Sequence, residues 1–111
     1  MTELSPRAQV LQAQLLRRYL DSIPEKLTQL ADAWAVVQAS AWSADSLARL
    51  KTPVHRLAGS AGSYGLEEVG LAARTLDASL KVSGPTPEQQ DEIEQQLETL
   101  LCALAVAQKK T

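Results

Sequence analysis

Five helix-start signals divide this chain, and each opens a stretch whose apolar residues recur in steps of three and four. Ser5-Pro6 reads as an N-cap followed by a first-turn proline. Ser22, with Glu25 three residues later, reads as a capping box in which Pro24 is tolerated in the first turn. Ser43 precedes a third periodic stretch. Gly65 stops one helix, and Glu67 and Glu68 fall in the first turn of the next, where carboxylates favour the positive end of the helix dipole. After the break Ser83-Gly84-Pro85, Thr86-Pro87 with Gln89 forms a last capping box. The pattern predicts helices over roughly 6–20, 23–40, 44–64, 66–82 and 87–108.

The stripes name a core. Ile23, Leu27, Leu30, Trp34 and Val37 line the second helix. Leu47, Leu50, Val54, Leu57, Ala61 and Tyr64 line the third. The fourth offers Val69, Ala72, Ala73, Leu76 and Leu80, and the fifth Ile93, Leu97, Leu100 and Leu104. The first, with Leu11, Leu15, Leu16, Tyr19 and Leu20, is read as the shortest and as a cover. Leu, Ala, Gln and Glu dominate, Phe is absent and β-branched residues are few, so the expected class is all-α. Short connections favour an antiparallel four-helix bundle with an additional N-terminal helix. A length of 111 residues suits a single domain over 1–111. Pro53 falls inside the third stretch, where proline costs about 3 kcal/mol. Because the stripe runs unshifted from Leu47 to Tyr64, a continuous kinked helix is favoured over a break with Thr52 as N-cap. Trp34 and Trp42 are read as core or end-capping residues rather than a binding patch.

Several function classes lack their signatures. The net charge of −2 is mixed along the chain, with no basic block, so no nucleic-acid partner is expected. No apolar run approaches the ~20 residues that span a bilayer, and the N-terminus lacks the basic start and apolar stretch of a signal peptide. A cytoplasmic location, no membrane contact and a monomer are expected. The lone cysteine, Cys102, forms no internal disulfide and is read as a small apolar filler in a reducing compartment. One histidine and one cysteine build no zinc site, the acidic residues show no calcium-loop spacing, and no GxxxxGK[ST] segment is present. No metal or other cofactor is expected on the chain itself.

His55, the single histidine, is the chemically distinctive residue. Gly59 and Gly62 lie four and seven positions on, on the same helical face, and Ala58 borders it. His55 itself falls roughly 130° from the centre of the buried stripe and is expected to reach solvent. Helix glycines cost about 1 kcal/mol each relative to alanine. Two readings of the pair stand: close helix packing or fraying toward Gly65, and a bare strip over which a partner reaches the ring. Lys51, one turn earlier, and Arg56, the next residue, surround His55 with cations that favour an added negative charge. Histidine also keeps a substantial neutral population at cellular pH, and its free nitrogen is a nucleophile.

The run from Val54 to Asp77 resembles the histidine-containing phosphotransfer (HPt) domain of bacterial two-component phosphorelays. The resemblance rests on His55, Leu57, Gly59, Ser60 and Gly65, with Leu66, Val69, Ala73, Leu76 and Asp77 downstream. It implies that His55 accepts a phosphoryl group from the aspartyl phosphate of a response-regulator receiver domain and passes it to another receiver. It implies further that a sensor histidine kinase stands upstream and that Mg²⁺ sits in the receiver. Gly59 then admits the receiver's loops, Leu57 and Tyr64 are structural, and Ser60 sets packing or touches the partner. The family's usual lysine is Ala58 here, with Lys51 and Lys81 as substitute cations or merely solvated residues. Asp77 either accepts a hydrogen bond from the ring or is a surface acid. The chain reads as a relay intermediate without ATP-dependent kinase activity. A non-catalytic adaptor that binds a receiver, and a structural bundle with an incidental histidine, are the competing readings.

Overall fold

The computed structural model describes residues 5–109 and contains five α-helices with one short 3₁₀ turn. The helices are α1 (Pro6–Asp21), α2 (Ile23–Ala39), α3 (Ala44–Ser60), α4 (Glu67–Ser79) and α5 (Pro87–Lys109), and the 3₁₀ turn runs over Ala61–Tyr64. No strand occurs among the described residues, in keeping with the all-α expectation. No helix among them is long and apolar enough to cross a membrane.

Capping chemistry fixes three of the starts. Ser5 accepts from Ala8 N–H at 3.1 Å, and Ser43 from Ser46 N–H at 3.2 Å. Thr86 and Gln89 satisfy each other, at 2.8 Å into Gln89 Oε1 and 3.2 Å into Thr86 Oγ1. The expected box at Ser22 does not form. Ser22 stays in the right-handed helical region and caps no backbone N–H of α2; its hydroxyl donates back to the Tyr19 carbonyl at 2.6 Å and accepts from the Lys26 ammonium. One residue therefore separates α1 from α2.

Packing closes a ring: α2 lies on α3, α3 on α4, α4 on α5, and α5 returns to α2. Ile23, Leu30, Leu50, Val54, Leu76, Leu97, Leu100 and Leu104 are fully buried at its centre. Each such side chain contributes roughly 1.5–3 kcal/mol. That burial on both sides of Pro53 carries α3 through it without a break, and Thr52 sits mid-helix with its hydroxyl on the Ala48 carbonyl at 3.2 Å. α3 and α4 run antiparallel, because His55 meets Asp77 while Ala61 and Gly62 meet Gly70.

Other expectations change. α3 ends at Ser60 instead of reaching Tyr64, and the chain tightens into the 3₁₀ turn. Gly65, at φ +77°, and the Leu66 N–H bond to the Ala61 carbonyl then reverse it. The shortest α-helix is α4, not α1. α1 packs mainly through its C-terminal end. Tyr19 is buried, whereas Val10, Leu11 and Leu15 are exposed. The molecule is accordingly 51 Å long, against about 35 Å for its longest helix. Cys102 is exposed rather than packed, since it faces the groove between α4 and α5 beside Leu71 and Val106. Between α2 and α3, Ala41 and Trp42 both take positive φ, at 53° and 63°, a cost of about 1–2 kcal/mol each. The Trp42 N–H bond to the Val37 carbonyl (2.9 Å) and an edge-to-face contact of Trp42 with Trp34 (centroids 5.3 Å apart) hold that turn. Both tryptophans are partly buried against the core.

Candidate functional site around His55

Val54 and Leu57 anchor α3 in the core and thereby turn His55 outward. The His55 side chain is 74% exposed. Its Nδ1 lies 3.0 Å from Oδ2 of Asp77, on the facing helix α4. Asp77 is held the opposite way. Its neighbour Leu76 is fully buried, and the aspartate itself is 8% exposed. A carboxylate accepts and never donates, so in the neutral ring this contact places the proton on Nδ1 and leaves Nε2 with a free lone pair. Oδ1 of Asp77 is buried without a hydrogen-bond partner among the described residues. The acid is thus desolvated and spends its one contact on the histidine.

Beyond the ring, α3 is bare. A Cβ placed on Gly59 or Gly62 meets nothing within 4 Å. Neither glycine is there to admit a neighbour's side chain. The close approach is between α4 and the 3₁₀ turn that follows α3, and it uses Gly70, where a Cβ would lie 3.5 Å from Gly62 N and 3.8 Å from Ala61 Cβ. Ala58 is partly buried against the core. Ser60 exchanges a hydrogen bond with the Tyr19 hydroxyl at 3.0 Å, so it ties α1 to α3. Tyr19 also stacks on Tyr64 (centroids 4.3 Å apart), and the Lys26 ammonium lies 4.6 Å from its ring centroid. Burial pushes the Tyr19 phenol above its ordinary value of 10.0, partly offset by the Ser60 hydrogen bond.

The cations sort by side. Arg56 lines a cleft between α2 and α3 with Ser22, Lys26, Pro53 and Ser60, away from the face that meets α4. Lys51 is half-buried one turn before His55, and Lys81 is exposed just past the end of α4. Neither forms an ion pair within 4.0 Å among the described residues. Arg74 was not among the residues singled out from the sequence. One of its guanidinium nitrogens lies 3.3 Å from the Cβ position of Gly70, beside the Gly62 backbone. The signal that would have found it is helical: Gly70, Arg74 and Asp77 lie four and three apart on one face. No group of three or more His, Cys, Asp or Glu residues that could hold a metal ion occurs among the described residues.

Comparison with curated proteins and with solved structures gives no match. The family model described as "Hpt domain" matches residues 14–107, which covers the exposed histidine, its aspartate, α2 to α4 and most of α5. The chain belongs to the Hpt domain family, whose members carry out histidine phosphotransfer in phosphorelays with receiver domains and kinases.

Proposed function

We propose that this chain is a phosphocarrier in which His55 takes a phosphoryl group from the aspartyl phosphate of one response-regulator receiver and delivers it to another. The observation that carries the reading is the pairing of a solvent-facing ring with a buried aspartate at Nδ1. The Nε2 lone pair attacks phosphorus, the Nε2–P bond forms, and the bond from phosphorus to the receiver's carboxylate oxygen breaks. Its electron pair stays on that carboxylate. No proton has to leave. The ring keeps its Nδ1 hydrogen and becomes a cation that Asp77 balances. In the onward step a second receiver's carboxylate attacks phosphorus and the pair returns to Nε2. Gly59 and Gly62 leave room for the incoming phosphorus, and Lys51 and Lys81 lend positive charge from the other side of the ring. Ser60 works through Tyr19 as a packing residue.

The receiver supplies Mg²⁺ and the reactive carboxylate, and a sensor histidine kinase stands upstream in a bacterial relay. The chain acts as a cytoplasmic monomer and as one domain, with α2 to α5 as an antiparallel four-helix bundle and α1 as its cover. It takes no part in nucleic-acid binding. Ala58, in place of the family's usual lysine, favours a second reading: an adaptor that docks a receiver without transfer.

Incubation of the chain with a phosphorylated receiver distinguishes the two. Acid-labile label on the wild type and none on His55→Gln supports transfer. Label that persists in His55→Gln excludes His55 as acceptor, and a stable complex without any label supports the adaptor. ATP alone labels neither protein.

A further inference from the structure

The antiparallel pairing of α3 and α4 has a definite register. His55 lies opposite Asp77; seven residues on, in the 3₁₀ turn that continues α3, Gly62 lies opposite Gly70, seven residues back along α4. Stepping between these two contacts puts Ala58 and Gly59 opposite Arg74. The bare part of α3 next to the histidine therefore lies opposite the position of Arg74, whose guanidinium rests one turn away beside Gly70. That guanidinium is exposed, forms no ion pair or hydrogen bond among the described residues, and rests beside the backbone of Gly70.

The remaining cations are placed differently. Arg56 turns into the cleft with α2. Lys51 and Lys81 fall opposite each other in the same register, on the far side of the His55–Asp77 pair from the glycines. On the side of Gly59 and Gly62, even an added Cβ would meet nothing within 4 Å. An incoming phosphorus and the acidic loops that carry it have room there. Arg74 is the one cation on that side among the described residues, and a guanidinium matches phosphoryl oxygens with two parallel N–H donors where an ammonium offers a point charge. An arginine kept unpaired beside an open backbone strip contributes nothing to the fold that a glutamine would not.

We infer that Arg74 is the cation that holds the phosphoryl group on His55, turning from its resting place over Gly70 toward the ring when phosphorus arrives. It stays protonated throughout and donates hydrogen bonds to two phosphoryl oxygens; no bond to nitrogen forms or breaks. The inference rests on the phosphotransfer reading above and deepens it. It also supplies a reason why the chain can carry alanine at position 58: the charge stands across the groove instead of on α3.

The test is the rate of phosphotransfer from a phosphorylated receiver to the full chain, at low and at high salt. Arg74→Gln is expected to slow transfer by about tenfold, the loss typical of a charge-assisted hydrogen bond, with an effect that shrinks as salt rises. Thermal unfolding of this variant stays at the wild-type midpoint, because the side chain is exposed and unpaired. Arg74→Lys recovers part of the rate. The double variant Ala58→Lys with Arg74→Gln, which moves the charge back across the groove, recovers it too. Lys51→Gln and Lys81→Gln each cost less than Arg74→Gln. The inference is overturned if Arg74→Gln transfers within twofold of wild type, if neither lysine restores a lost rate, or if either lysine variant is the more damaging. A wild type that takes no label at all fails the phosphotransfer reading itself, so the two failures are separate.

Discussion

Replacing Asp77 by asparagine separates what this residue does for the fold from what it does for the ring. One carboxylate oxygen accepts from a ring that is 74% exposed, and the other is buried without a partner. A hydrogen bond to so exposed a group is worth about 0.5–1.5 kcal/mol. An unpartnered buried oxygen costs about 1–3 kcal/mol, more when charged. Asp77 thus contributes nothing net to stability, or lowers it by about 1–2 kcal/mol. Asparagine keeps the shape and can still accept from Nδ1, but it removes the charge that desolvation penalises. Asp77→Asn is expected to unfold at the wild-type midpoint or a few degrees above it, on a scale of about 4 °C per kcal/mol for a chain of this size. Transfer behaves oppositely. A neutral acceptor no longer balances the cationic phosphorylated ring, and the difference between a charged and a neutral hydrogen bond, about 1 kcal/mol or more, slows the reaction by about tenfold. The assay is paired: urea and thermal unfolding by circular dichroism, and transfer from a phosphorylated receiver by rapid quench. A variant destabilised by more than about 2 kcal/mol that transfers at the wild-type rate would show Asp77 to be a structural pin and refute the reasoning.

Three further outcomes follow from local geometry. Gly59→Ala stabilises α3 by about 1 kcal/mol, because helix propensity improves and no neighbour is met; Gly59→Trp leaves unfolding nearly unchanged and blocks transfer, and normal transfer by it shows that the ring is not approached over this strip. Gly65→Ala loses about 1 kcal/mol at chemical denaturation, since φ +77° strains any residue with a Cβ. Tyr19 responds to alkali: its folded-state pKa is raised, so the unfolded chain releases the phenolic proton first. Its contribution is complete below pH 10.0 and is lost as pH rises through the folded-state value, and Tyr19→Phe flattens that part of the stability curve.

What could be read in advance was whatever depends on neighbours in sequence. Ser5, Ser43 and the Thr86–Gln89 pair declare their helices because a cap needs only three or four residues to work. Ser22 carries the same letters and does otherwise, since its backbone stays helical and the hydroxyl finds Tyr19 behind it. The outward direction of His55 followed from the stripe it interrupts. The pairing of His55 with Asp77 spans 22 positions, and deciding between a ring partner and a surface acid required the register of two helices. That register also exposes Arg74 and moves the close-packing role from Gly62 to Gly70. Cys102 and the apolar face of α1 misled for a related reason: a stripe says which side of a helix is greasy, and not whether another helix covers it.

The exposure of the His55 ring has a kinetic corollary for the role proposed. A single nitrogen on one open flank admits one client at a time, so the regulator that donates must depart before the regulator that receives can engage. Turnover of such a relay then follows double-displacement kinetics, with parallel lines in reciprocal plots, and surplus recipient competes with the donor for the same landing ground. Signal strength through the chain is consequently greatest at an intermediate abundance of the downstream regulator.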